Sequence, residues 1–199
     1  MNWEDVWIVI RAVKGKREQC LSALLKQIET FQRGYDVSYH GIGRSMAQSY
    51  CDCLSLATKS GRTWCLQLED DAILRPDFSL HAARLIDDAN GLGFLSFYSG
   101  KRGVSRDHPQ MEILAGSRFL MAQAYAIKTE LIDDHNQHVL KFCKDRPNAT
   151  DPGTADWLKS RKMKYGRVWP SLVQHSDVVS LYGHHRNPNR FAESFSDGH

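Results

Sequence analysis

No stretch of this chain approaches the roughly 20 consecutive apolar residues needed to cross a bilayer. The opening Met-Asn-Trp-Glu-Asp is too acidic for a secretory leader. A cytosolic protein without a membrane anchor is expected. Cysteines are few and odd in number, and Cys20, Cys51, Cys53, Cys65 and Cys143 form no matched CxxC pairs. Reduced thiols are expected, with Cys20, Cys53 and Cys65 buried on apolar faces. No Pro/Gly/Ser-rich linker or compositional break divides the 199 residues, which predicts one core. Internal repeats and low-complexity segments are absent as well. A P-loop is missing, and Gly41-Ile42-Gly43 is followed by Arg44, Ser45 and Met46, so no third glycine completes a dinucleotide fingerprint. Kinase-like and dehydrogenase readings lose their best support.

What is present is an ordinary globular composition, 42% hydrophobic and 25% charged. The net charge of +3 is too small to imply an acidic partner, but its distribution is uneven. Lys159, Arg161, Lys162, Lys164 and Arg167 crowd one segment, Lys101, Arg102 and Arg106 mark a polar loop, and Arg186 and Arg190 lie near the end. Such runs are either a solvated face or a surface that meets phosphate.

Apolar periodicity alternates between strand and helix. Residues 7–13 form an apolar, β-branched run, and Cys20, Leu21, Leu24, Ile28 and Phe31 then recur at helical spacing. A weaker strand at 36–40 precedes Ser45, which can cap a helix whose apolar face carries Met46, Tyr50, Cys53, Leu54 and Ala57. Strand 64–69 follows, then a helix through Phe78, Ala82, Leu85, Ile86 and Ala89, then strand 93–98. Beyond a Gly/Lys/Arg/His loop at 100–110, the pattern predicts strand 119–127, helix 129–142 and a loop marked by Pro147, Asn148, Pro152 and Gly153. A short helix carrying Asp156, Trp157 and Leu158, capped by Thr154 or Asp151, leads to short strands at 165–169 and 171–175. Repeated βα units predict an α/β domain with a mainly parallel sheet over residues 1–182. The unpatterned tail, 183–199, is expected to order on ligand.

The most informative run is 64–72, where an apolar strand ends in three carboxylates, Glu69, Asp70 and Asp71. Open α/β sheets bind ligands beyond their strand ends. Hard divalent ions take carboxylate oxygens there and bridge to substrate phosphates. The alternative is an acidic turn that caps the following helix.

Three separated pieces, LEDDA at 68–72, TADW at 154–157 and PSLVQHSDVVSL at 170–181, together resemble the nucleotide-sugar-dependent glycosyltransferases of GT-A fold. The first is similar to the acidic motif of lipopolysaccharide-type transferases, and the last to the PSL-x-QH signature of the branching N-acetylglucosaminyltransferases. The resemblance runs from about residue 6 to 182. It implies a GT-A-like α/β/α sandwich in which Asp71 ligates a divalent ion, His175 completes the metal shell and Glu69 supports the turn or binds through water. Asp70 would lie near the donor ribose or the ion, and Asp156 would be the base that takes the acceptor hydroxyl's proton. Ala155 replaces the Glu common before that Asp in the family, so Asp151 is the alternative base. Arg11, Arg186 and Arg190 are candidates for the donor's nucleotide and phosphates, and Gly116 resembles a glycine loop that a sugar approaches. His184 and His185 are weaker ligand candidates.

The expected activity is an inverting, metal-dependent transfer from a UDP-linked sugar to a hydroxyl, with Mn²⁺ preferred over Mg²⁺ because imidazole suits it better. The acceptor would be a glycan or a hydroxymethylated base of DNA, the latter helped by the basic segments. Competing readings are a metal-dependent phosphohydrolase or nuclease, and a nucleotide-sugar-binding module without turnover.

Overall fold

A computed structural model describes residues 3–41, 43–99, 108–119, 123–176 and 195. The expectations for Arg186, Arg190, His184, His185, the basic loop 101–106 and nearly all of the tail lie outside the described residues.

The first half of the chain follows the alternation: β1 (Val6–Ala12), α1 (Glu18–Glu29), β2 (Tyr35–Tyr39), α2 (Met46–Ala57), β3 (Trp64–Glu69), β4 (Ala72–Leu74) and α3 (Phe78–Asp88). Ser45 caps α2 as predicted, its Oγ accepting from Gln48 N at 3.1 Å. The second half comprises β5 (Phe94–Ser96), β6 (Gln110–Ala115), β7 (Ala124–Lys128), α4 (Ile132–Phe142), α5 (Thr150–Ser160), β8 (Lys164–Trp169) and β9 (Val173–His175).

Seven strands form one sheet in the order β2-β1-β3-β7-β5-β8-β6, and β4 pairs β9 in a separate ribbon. The pairs β1–β2, β1–β3 and β5–β8 are parallel, whereas β3–β7, β5–β7 and β6–β8 are antiparallel. Strands β1, β2, β3, β5 and β8 therefore share one direction and only β6 and β7 oppose it. Side chains alternate across β1: Val6, Ile8, Ile10 and Ala12 join the core beneath α1 and α3, while Val9 joins the core beneath α2, α4 and α5. Helices cover both faces, giving an α/β/α sandwich with a mainly parallel sheet. Among the described residues, no helix is long and apolar enough to cross a membrane.

Three elements depart from the sequence pattern. β6 is an edge strand, paired only with β8 and mostly half-exposed, so its burial leaves no clear apolar signature. β7 begins at Ala124 rather than near residue 119, after a 3-10 turn at Gly116–Arg118. α5 begins at Thr150 and contains both Pro152 and Gly153, which read as loop residues. Proline is tolerated in a first helical turn because its missing N–H has no intrahelical partner there. Gly153 packs close to Phe142, Val139 and Cys143 of the α4 segment. All five cysteines are free, four of them buried and Cys20 half-buried.

The direction of β8 also locates the basic segment. Lys164 begins a strand parallel to β5, so Lys159, Lys162 and Lys164 occupy the edge of the sheet opposite the carboxyl ends of β1 and β3. Arg161 is paired with Asp134, and Arg167 with Glu112, its directly opposite residue on β6.

Candidate functional site

β1 leads through α1 to β2 on one side, and β2 returns through α2 over β1 to β3 on the other. The reversal opens a crevice at the carboxyl ends of β1 and β3, the position at which open α/β sheets bind ligands. The strand ends are tied together there. Asp70 N donates to Arg11 O at 3.0 Å, Val13 N donates to Asp70 Oδ2 at 2.9 Å, and Glu69 N donates to Gln123 O at 3.1 Å. The acidic turn is thus a rigid continuation of the sheet.

The PSLVQH segment reaches the same place through β9. Buried Ser171 donates from Oγ and accepts from Ser99 N at 3.2 Å, and Leu172 N donates to Phe97 O at 3.1 Å. These bonds fasten the segment to the end of β5. Antiparallel pairing with β4 then sets His175 opposite Ala72, and Ser176 N donates to Asp71 O at 2.8 Å. His175 Nδ1 consequently lies 3.0 Å from Asp71 Oδ2. Glu69, Asp71 and His175 each present a ligand atom within 4.8 Å of the others.

Two guanidiniums close the cluster. Arg11 pairs with Glu69 and lies 5.6 Å over the ring of Tyr50. Arg17 Nη1 is 3.1 Å from Asp70 Oδ1 and 2.7 Å from Asp71 Oδ2. Burial pushes the Asp71 carboxyl up, but the hydrogen bond and charge of His175 and the charge of Arg17 outweigh it and hold Asp71 below the usual carboxylate range. Asp70 is raised, because burial and the neighbouring Asp71 outweigh Val13 N–H and Arg17. Burial opposes the charge on Arg11, yet Glu69 keeps it firmly protonated.

The donor set suits a transition dication better than a hard cation alone, with two carboxylates and one imidazole. Asp71 Oδ1 is buried and has no hydrogen-bond partner among the described residues. Such an oxygen is costly to leave unmade and has a lone pair to give.

The remaining candidates fall elsewhere. Asp156, on α5, accepts from His138 Nε2 at 2.9 Å, and its side chain is 46% exposed. Asp151 lies five residues nearer the crevice on α5, and its charge acts on both Arg11 and Tyr50. Five helical residues separate the two by about 7.5 Å and roughly 140° around the axis, so only one of them can face a given point. Gly116 is buried beneath α5: a Cβ there would stand 2.4 Å from Leu158 Cβ. Leu158 and the Met163 carbonyl occupy the side of Gly116 on which a side chain would stand. Arg17 was not foreseen. The signal available was the Lys14-Gly15-Lys16-Arg17 run directly after β1, the strand that adjoins the acidic one.

No family model matches the chain, and no curated protein matches it in sequence. Solved structures do match. A glycosyltransferase involved in the glycosylation of the major capsid of PBCV-1 superposes with a TM-score of 0.57, covering 86% of this chain and 95% of that one at 9% identity. A protein from STIV gives 0.54 at 13% identity over 90% and 87% of the two chains. S. aureus TarS 1-349 gives 0.54 at 10% identity over 87% of this chain and 59% of that one. The fold of this chain is therefore the GT-A-like α/β/α sandwich of glycosyltransferases.

Proposed function

We propose that this chain is an inverting, metal-dependent glycosyltransferase that moves a sugar from a nucleotide-sugar donor, UDP-linked by resemblance, to an acceptor hydroxyl. The observation that carries the reading is the convergence of Glu69, Asp71 and His175 at the crevice between β1 and β3. In this fold the carboxyl ends of those strands are where a nucleotide would bind.

Asp71 and His175 would hold a divalent ion, Mn²⁺ first, with Glu69 as third donor or support. When bound, the ion would offset the charge that grows on the departing nucleoside diphosphate. Arg11 and Asp70 would flank the donor, and Arg186 and Arg190 of the tail would add positive charge to its phosphates. A carboxylate of α5 would take the proton from the attacking hydroxyl. Asp156 is the residue matched by motif, and Asp151 is the one whose charge acts on Arg11.

A glycan or other small hydroxyl acceptor is favoured over DNA. Lys159, Lys162 and Lys164 stand at the opposite edge of the sheet, and Arg161 and Arg167 are engaged by Asp134 and Glu112. A duplex held by those lysines would not bring a flipped base to Asp71.

The test is incubation with Mn²⁺ and a panel of nucleotide sugars, with and without glycan and hydroxymethylated DNA, following nucleoside diphosphate release and product mass. Sugar-containing product with release of nucleoside diphosphate supports the reading. Free phosphate or cleaved nucleic acid without sugar transfer would point instead to a phosphohydrolase or nuclease.

A further inference from the structure

We infer that Arg17 is a displaceable counter-ion: it holds Asp70 and Asp71 until a divalent cation takes Asp71, and its guanidinium then turns to the diphosphate of the donor. The inference rests on the metal-dependent nucleotide-sugar reading above.

Competition follows from the geometry of one oxygen. Asp71 Oδ2 lies 2.7 Å from Arg17 Nη1 and 3.0 Å from His175 Nδ1. A dication bridging Asp71 and His175 would stand against that Nη1 in a pocket where Asp71 is 2% and the Arg17 side chain 10% exposed. Like charges a few ångströms apart repel strongly when partly shielded from water. Even an ion taken by the unpartnered Oδ1 would stand only a few ångströms from the guanidinium on Oδ2, so the two cations compete at Asp71.

Arg17 is also the partner whose contacts are incomplete. It stands at the boundary between the β1 loop and α1, with φ −136° and ψ 34°, outside regular structure. Both carboxylates are reached through the same Nη1, whereas guanidinium and carboxylate usually pair through two parallel bonds. Its buried Nε has no hydrogen-bond partner among the described residues, and neither has Asp71 Oδ1. An incompletely used guanidinium beside an incompletely used carboxylate is a poor final arrangement for both. Asp70 remains as a tether when Asp71 is released, because it is also bonded by Val13 N.

The charge balance gives the direction of the swing. Glu69, Asp70 and Asp71 oppose Arg11 and Arg17, a sum of −1 in the metal-ready state, in which a ligating His175 carries no extra proton. A dication brings the cluster to +1, which repels Arg17, and an arriving diphosphate then supplies the anion it lacks. Arg17 should thus oppose cation binding alone and favour binding of cation with diphosphate.

This reversal of sign is the test. Mn²⁺ binding is read from the electron paramagnetic resonance signal of the free ion, and UDP binding by calorimetry at saturating Mn²⁺, for wild type, Arg17→Gln, Arg17→Lys and Asp71→Asn. Arg17→Gln should bind Mn²⁺ about tenfold more tightly and UDP about tenfold more weakly, one counter-charge being worth roughly that factor. Arg17→Lys, which keeps the charge, should change Mn²⁺ binding by less than about twofold. It also carries the comparison, against wild type and by UDP affinity, if Arg17→Gln fails to fold. Weakening of both ligands by Arg17→Gln, or no change in either, would overturn the inference while leaving the metal centre standing. Absence of Mn²⁺ binding to wild type would instead remove the metal-dependent reading itself.

Discussion

His175 and Asp71 are 104 residues apart in the chain, and their side chains meet at 3.0 Å. The meeting is made by backbone register: β4 and β9 run antiparallel with Ala72 opposite His175, so the residue before β4 and the last of β9 share one corner. Neither residue packs the main core: His175 is held by the β4–β9 pairing, and Asp71, in the turn before β4, by the bond from Ser176 N to its carbonyl. Function at this corner should therefore be separable from stability.

Asp71→Ala and His175→Ala should each abolish or weaken Mn²⁺ binding, His175→Ala by about 10- to 100-fold. Circular dichroism should remain that of wild type. Titration with Mn²⁺ checks the first expectation, and wild-type affinity in Asp71→Ala would remove that residue from the metal site.

The two carboxylates of α5 can be told apart by isosteric replacement. The base, whichever it is, should lose about 10²- to 10⁴-fold in turnover on conversion to the amide while donor binding persists. Asp156→Asn breaks only a surface contact with His138 if Asp151 is the base. Single-turnover rates of Asp151→Asn and Asp156→Asn, with UDP affinity as control, decide the assignment.

Gly116→Ala should destabilise the fold without touching the crevice. The new methyl would lie 2.4 Å from Leu158 Cβ and 2.8 Å from the Leu158 carbonyl carbon, which belongs to backbone and cannot rotate away. Overpacking of this kind costs about 1–3 kcal/mol. A thermal midpoint unchanged from wild type would show that α5 can shift outward to admit it.

His135 predicts an acid-sensitive core. Burial lowers its pKa to about 4, with the charge of His138 adding to the effect and the hydrogen bond to Asn136 and the charge of Asp134 opposing it. The folded state thus binds the proton less readily than the unfolded chain, whose histidine titrates near 6.5. Stability from this residue is complete above about pH 6.5 and is lost as pH falls toward 4. At about 1.4 kcal/mol per pK unit the full loss is on the order of 3 kcal/mol. Urea midpoints at pH 7 and pH 5 should differ for wild type and converge for His135→Gln, apart from contributions of other groups. Equal pH dependence in the two proteins would assign the sensitivity elsewhere.

Local pattern carried much of this molecule. The helical spacing of Leu21, Leu24 and Ile28, the Ser45 cap and the apolar run ending at Glu69 each report on their own neighbours, and each formed the expected element. The acidic strand end and the PSLVQH segment were legible as candidate ligands because carboxylate and imidazole chemistry is local to the residue. Their convergence depended on the ribbon of β4 and β9: a strand at 171–175 was expected, but its partner β4, three residues directly after the acidic turn, is too short to announce itself. β6 escaped detection because an edge strand buries too little to alternate clearly, and only the first turn of the expected helix at α5 was missed, because its Pro152 and Gly153 signal a turn unless a first helical turn and a close neighbour accommodate them.

The amino-acid order by itself determined an α/β sandwich and an acidic strand end, since periodicity and strand-end chemistry are properties of contiguous residues. Only tertiary structure decided that Arg17 would share an oxygen of Asp71, that Leu158 would fill the space beside Gly116, and that the lysines of 159–164 would stand at the far edge of the sheet. Those relationships depend on strand order and direction, which are set by the packing of two helical layers on one sheet and are written in no single segment.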